Sequence, residues 1–515
     1  MNSHRFLNSS IDIKNYDQPL RELLELKVND LHDAEKVFLQ INCVHQEVEA
    51  LGCQSVAIEN HYIDRDYIEE HSHFYSKSLY PYDNWCRRVH FFSLNETQLK
   101  AELSQVRAIG HQNGENEYRR KCREFSDEHY LGFSVIKPLS GSPVGRTVLK
   151  CPKLAAPGDK RWQFDCIRSY KVHLAGIELT INGLAFQQQD VGVSACATTA
   201  LWSSLQKTRE FDEIFPATPA QITLLATQRS LPFGRPMPSE GLTVDQMCQV
   251  VQALGASPVL FRAQNSTETI RLLYSAITSG FAPVLIISSD VPDTAGQSHA
   301  VTVTGMEINS AKLPGNKKWR DGSELLSAVF VHDDRLGPYL RAPIGDDSKT
   351  IELSFEKPKY QKWKLTHLLI PMHAKIRLSF TDLQSIASKI IGHLEEALRV
   401  LAEKSGQQPS DSVFELQIRI LQAHKYHESL FLGSPKLSLE DIEKFNQVVT
   451  LSKYVGLVRI NHPVIGELDV VVDTTSPLKN LHCLVVVARK IPDDYPHTSL
   501  LAEYLAEKYD CRVIA

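Results

Sequence analysis

A cysteine, a histidine and a pair of carboxylates are spaced through the middle of this sequence in a pattern suited to acyl chemistry. Cys196 lies in QQQDVGVSACATTALWSS (187–204), where small, turn-prone residues give way to a helix-forming run. At the first turn of a helix, unpaired N–H groups and the macrodipole favour an anion, so a thiol there is drawn toward the nucleophilic thiolate. His299 opens the apolar run HAVTVTGMEI (299–308) directly after a Gly-Gln-Ser stretch. From such a position an imidazole can reach a thiol on a facing helix and carry its proton. His332-Asp333-Asp334 closes the next strand-like run, SAVFVHD (327–333), where a carboxylate can orient the ring of His299. Gln189, seven residues before the thiol, can join the backbone N–H of Cys196 in an oxyanion hole, and Gln188 is the neighbouring choice.

These elements, in this order, resemble the papain-like cysteine peptidase superfamily. The likeness is carried by Gln189 before Cys196 at a helix start, Ser-His-Ala-Val-Thr-Val-Thr-Gly (298–305) and Val-His-Asp-Asp-x-x-Gly-Pro-Tyr (331–339). It is closest to the bacterial branch that includes the bacteriocin-leader peptidases, and it covers roughly 180–345. The resemblance implies Cys196 as nucleophile, His299 as general base and acid, Asp333 as the orienting carboxylate and Gln189 as oxyanion donor, with Asp334 the alternative to Asp333. It implies an α+β chain with a papain-like core, a nucleophile helix packed on an antiparallel sheet. The implied activity is that of a cysteine peptidase, a thiol hydrolase acting on a protein or peptide. Acyl transfer to an amine and deamidation of a glutamine would use the same residues, and a dormant site in a binding or regulatory chain is the remaining alternative. Three departures stand out. Cys196-Ala197-Thr198 replaces the more usual Cys-Gly-Pro, the Gln-to-Cys spacing is one residue longer than the common six, and Asp334 takes the place of a usual Pro.

Other chemistry-bearing residues read as structural. Cys248, in MCQVV, is a small core residue of an apolar helix face. His71, His73, Cys86 and His90 match no zinc spacing, and the aromatics between them read as core. Cys166 and His173 fall on opposite faces of a strand pattern. No glycine-rich phosphate loop is present, and no cofactor or metal is expected.

The elements that must position the site follow from periodicity and caps. Residues 20–51 read as a helix pair, Val89–Phe92 as a strand, 130–150 as two strands around a turn and 170–186 as a third strand. Helices are expected at 194–208, at 243–254 behind the capping box of Thr243 and Gln246, and at 267–279. SPVLF, APVLIISS, HAVTVTGMEI and SAVFVHD are strands, and the loop 288–298 is the segment expected to gate access to His299. Beyond residue 345, a one-faced helix runs through SFTDLQSIASKIIGHLEEALRVLAEK, VFELQIRILQAH reads as a second helix, and LSLEDIEKFNQVV as a third, capped by Ser438. LVRI, LDVVVD and CLVVVA are strands. This gives an accessory α/β domain over 1–175, the peptidase-like domain over 176–345 and a second accessory α/β domain over 346–515.

Bulk properties set limits on partners. A chain of 515 residues exceeds one ordinary core. With 56 Lys+Arg against 61 Asp+Glu, the charge balance offers no electrostatic reason to bind nucleic acid or an anionic membrane. No apolar run reaches the about 18 residues a spanning helix needs. Ten cysteines without a C-x-x-C pair read as reduced thiols, and the N-terminus lacks a signal-peptide pattern, so a cytoplasmic location is expected. The flanking domains leave room for a protein partner.

Overall fold

The apolar run after His299 becomes a strand with both faces covered, and that double burial organises the middle of the molecule. In the computed structural model, Ser298–Asn309 is buried from His299 to Ile308. Val301 and Val303 pack into one apolar cluster with Val329, Val331 and Leu365. Ala300 packs into another with Ala197, Ala200 and Leu201 of the helix Cys196–Thr208, here called α1. The structure describes residues 11–26, 34–112, 114–139, 141–152, 158–190, 195–210, 217–228, 241–289, 298–309, 319–346, 351–354, 362–405, 413–432, 437–463, 465–476, 483–490 and 497–514.

Six strands close around the first cluster as a barrel: β1 (Val284–Ser289), β2 (Ser298–Asn309), β3 (Leu326–Asp333), β4 (Gly337–Asp346), β5 (Ile351–Leu353) and β6 (Trp363–His373). Each pairs antiparallel with the next, and β6 returns to β1, Val284 opposite Leu369. Closure removes the open edges a short sheet would otherwise expose. Ala256–Arg262 extends β6 outward, and Lys160–Gln163 pairs with the far end of β2. Strands beyond residue 345 thus complete the barrel, and one from before residue 176 pairs onto it. Gly305, at a bulge in β2, is required there, because a Cβ would sit 2.5 Å from the carbonyl oxygen of Gln163.

The N-terminal region is a five-stranded antiparallel sheet, Ile11–Asn15, Ser55–Tyr62, Cys86–Phe92, Tyr130–Ile136 and Val144–Leu149 in spatial as in chain order. The helices Ala34–Ala50, Glu96–Gln112 and Glu115–His129 accompany it. The C-terminal region is a six-stranded sheet containing Phe414–Gln422, Tyr454–His462, Gly466–Asp473, Cys483–Lys490 and Arg512–Ile514. Its sixth strand, Trp319–Asp321, comes from the connection between β2 and β3 and pairs parallel with Phe414–Leu416. The whole is a mixed α/β chain with largely antiparallel sheets. Among the described residues no helix is long and apolar enough to cross a membrane.

Two expectations need correction. VFELQIRILQAH is not a helix: Phe414–Gln422 is a strand, with Phe414, Leu416, Ile418 and Ile420 buried. Alternation with period two wins there, helped by β-branched Ile418 and Ile420. The stretch 170–186 is not one strand but a hairpin, Arg168–Leu174 with Ile177–Gly183. Its two-residue turn, Ala175-Gly176, has φ +50° and +87°, the backbone a tight hairpin demands.

Candidate active site

The N-terminus of α1 meets the rim of the barrel at Cys196. Ala195 precedes it in extended conformation, φ −72° and ψ 167°, and has no side chain with which to cap the first turn. The dipole end of α1 is therefore not taken by a Ser or Asp oxygen from its cap position, and the half-buried thiol sits beside it. Thr199 Oγ1 donates to the Cys196 carbonyl at 2.9 Å, and Thr302 of β2 donates to the Ala200 carbonyl at 2.6 Å, tying α1 to the strand that carries His299.

His299 lies opposite Ile287 in β1, at the barrel mouth, with only 3% of its surface exposed. Its Nε2 is 3.0 Å from Asp333 Oδ2 and 3.5 Å from Asp334 Oδ1, and Cys196 is close enough to act on the ring. With Nε2 turned to the carboxylates, Nδ1 is the ring nitrogen left for the sulfur. Trp363 of β6 walls the ring at a centroid distance of 5.9 Å. Burial alone would drive the imidazole neutral. The charge and hydrogen bond of Asp333, the Cys196 contact and the charge of Asp334 outweigh it and push the ring up to about 10. An imidazolium so held is the neighbour that a thiolate nucleophile needs.

The two carboxylates differ sharply in support. Asp333 Oδ1 accepts the backbone N–H groups of Arg335 at 2.9 Å and Leu336 at 3.1 Å, leaving Oδ2 for the histidine. Burial would raise this carboxyl, but the His299 charge and hydrogen bond, with Arg335, hold it down at about 2. Asp334 is equally buried, yet neither oxygen has a hydrogen-bond partner among the described residues. Burial pushes it up to about 6, only partly opposed by His299 and reinforced by the charge of Asp333. It borders a cavity of about 10 Å³, bounded also by Gln187, Thr199, Ser203, Thr302 and His332. That is close to the smallest space that holds one water, which the unpaired oxygens would bind. The donor atoms of His299, Asp333 and Asp334 lie within 4.8 Å of one another, the closest approach to a metal-binding set among the described residues.

The glutamines separate as well. Gln188 is committed to the N-terminal sheet: its Oε1 accepts the Val144 N–H at 3.1 Å and its Nε2 donates to the Gly141 carbonyl at 3.4 Å. Gln189 is half-buried, and the described part of the loop ends at the next residue, Asp190. Gln187, not singled out by sequence, buries an Nε2 without a hydrogen-bond partner among the described residues and lines the cavity beside Asp334. Nothing in a run of three glutamines distinguishes it.

The N-terminal layer braces these loops. Tyr75 donates its hydroxyl to Asp190, next to the buried pair Lys137–Glu70 at 3.3 Å. Gly337, in the turn after Asp333, packs on Cys43 of helix Ala34–Ala50. Tyr339 holds φ +51°, an unusual conformation for a non-glycine, while its hydroxyl donates to the Leu149 carbonyl at 2.9 Å. Its N–H donates to His332 Nδ1 at 3.2 Å, and His332 Nε2 faces the Leu184 carbonyl at 3.0 Å. His332, whose ring burial lowers to about 4, is thus a neutral structural histidine.

The remaining sequence candidates lie elsewhere. His90 sits between Tyr130 and Glu59, His71 faces the Tyr82 carbonyl, Cys166 donates to the Phe281 carbonyl at 2.7 Å, and Cys248 lies half-buried on helix Val244–Ala253. Of the loop 288–298, residues 290–297 lie outside the described residues. No family model matches this sequence, and no curated protein matches it.

Proposed function

We propose that the chain is a cysteine peptidase-like thiol hydrolase with a Cys196–His299–Asp333 triad on a papain-like core. The observation that carries this reading is the His299 ring, buried between the thiol at a helix N-terminus and a carboxylate pinned by two backbone N–H groups. The resemblance implies a nucleophile helix packed on an antiparallel sheet, and the packing of α1 against the antiparallel strands that carry His299 supports this reading.

In this reading the Cys196 thiolate attacks a peptide or amide carbonyl. The oxyanion forms beside the α1 N-terminus, where the Cys196 N–H and Gln189 receive it, and the His299 imidazolium protonates the leaving amine. Water then attacks the thioester with His299 as base, returning the enzyme. Asp333 keeps the ring's Nε2 engaged throughout, so that Nδ1 stays aimed at the sulfur.

The test is a thiol-directed activity probe on the full-length protein, with Cys196→Ala and His299→Ala beside it. Labelling concentrated on Cys196 and lost in His299→Ala supports the assignment. Equal, slow labelling of Cys196 and the other half-buried thiols, unchanged in His299→Ala, overturns it.

A further inference from the structure

The C-terminal sheet brings two cysteines that are 28 residues apart in sequence into sulfur contact. Cys483 opens the strand Cys483–Lys490. Cys511 precedes the edge strand Arg512–Ile514, which runs parallel to it with Val485 opposite Arg512. The two sulfurs lie 2.8 Å apart at the start of this pairing, and both are free thiols. Cys483 is buried while Cys511 is half-buried, so a small solute reaches the outer sulfur first. The contact with Cys483 lowers Cys511, and the same contact, with burial, raises Cys483, which makes Cys511 the better nucleophile of the two.

We propose that Cys483 and Cys511 form a redox site that takes a hydroperoxide as its oxidant and closes as a disulfide. The Cys511 thiolate attacks the peroxide O–O bond; an S–O bond forms, the O–O bond breaks, and hydroxide or alkoxide leaves. The Cys483 thiol then attacks the Cys511 sulfur. An S–S bond forms, the S–O bond breaks, and the oxygen departs as water with the Cys483 proton. Two thiols are oxidised by two electrons and one peroxide is reduced.

The site is independent of the proposed triad, since it lies in the other sheet. The disulfide would join the two ends of the segment holding helix His497–Lys508, whose Leu501, Ala502 and Leu505 are buried in the C-terminal core. Closing such a loop restricts the unfolded chain. The oxidised protein should therefore melt at higher temperature than the reduced one.

The experiment uses the reduced full-length protein, treated with graded hydrogen peroxide, alkylated without reduction and mapped by peptide mass spectrometry. The expected product is a Cys483–Cys511 cross-linked peptide, reversed by dithiothreitol. In Cys483→Ser, dimedone should instead trap a sulfenic acid on Cys511. Alkylation of both cysteines at peroxide levels that oxidise other thiols would overturn the proposal, as would conversion of Cys511 to sulfinic acid without a cross-link. If Cys483→Ser fails to fold, the wild-type map alone decides.

Discussion

Asp333 reaches His299 with one carboxylate oxygen while two backbone N–H groups hold the other, whereas adjacent Asp334 approaches the same ring without a hydrogen bond. Adjacent strand residues ordinarily point to opposite faces, and the turn Asp333–Gly337 that ends β3 is what brings both carboxylates near one imidazole. Asp333→Asn should cut kcat/KM by about 10²–10⁴-fold, because an amide cannot supply the charge that stabilises the imidazolium. Asp334→Asn should stay within about 3-fold of wild type, since no hydrogen bond is lost. Steady-state kinetics on one peptide substrate compares the two. Equal losses would dissolve the distinction.

The two carboxylates also predict opposite dependences of stability on pH. Asp333 is lower folded than unfolded, so its contribution is present above the ordinary 3.8 and lost as pH falls through about 2. His299 is higher folded than unfolded, so its contribution is complete below 6.5 and lost as pH rises through about 10. Asp334 is raised, so the stability it contributes below 3.8 disappears as pH rises through about 6. Denaturant melts of Asp334→Asn should match wild type in acid and exceed it once pH passes about 6. A variant less stable than wild type at neutral pH would show that Asp334 is favourably paired as a carboxylate.

The alkaline limb of activity should follow His299. In the proposed mechanism, loss of the ring proton near 10 removes the acid that protonates the leaving amine, so kcat/KM should fall with that apparent pKa. In Asp333→Asn, burial dominates the ring and the limb should move down by more than one unit. A pH–rate profile on both proteins reads this. An unmoved limb would assign it to another group.

The candidate site is more legible in the sequence than its setting. Cys196, His299 and Asp333 carry chemistry in their residue types, so a thiol before a helical run and a histidine opening a strand could be paired from sequence. The capping box of Thr243 and Gln246 was legible because it is local, and the structure contains both of its hydrogen bonds. In strand Phe414–Gln422, FELQIRIL places apolar residues compatibly with both periods, and only the sheet on either side chooses between them. Barrel closure through Val284 and Leu369, and the bracing of Asp190 by Tyr75, join residues far apart in sequence, which periodicity does not register. Gln188 and Gln189 are chemically identical, and only their neighbours distinguish them.

That difference between the glutamines is measurable. Gln189→Ala should lower kcat by about 10–10³-fold with KM little changed, the signature of a donor used mainly in the transition state. Gln188→Ala removes two hydrogen bonds to the N-terminal sheet and should lower stability by about 1–3 kcal/mol with a smaller effect on kcat. Kinetics and chemical denaturation on both variants separate the roles. A kcat loss confined to Gln188→Ala would reverse the assignment.

Gly337 tests whether the N-terminal layer supports the proposed site. It follows the Asp333 turn at φ +121°, a conformation L side chains rarely adopt, and an added Cβ would lie 2.7 Å from Cys43 Cβ on helix Ala34–Ala50. Two costs therefore combine in Gly337→Ala, backbone strain and a clash that only movement of the turn or the helix relieves. The expected destabilisation is on the order of 2–4 kcal/mol. If the turn is what yields, Asp333 shifts with it, since the Leu336 N–H that holds its carboxylate is the adjacent residue. Activity per folded molecule should then fall as well. Cys43→Gly in the same chain removes the Cβ contact and should restore part of both, whereas Cys43→Gly alone should leave turnover near wild type. Melting curves and active-site titration follow the two quantities separately. Full turnover in a destabilised Gly337→Ala would confine the helix to structural support, without influence on the carboxylate that orients His299.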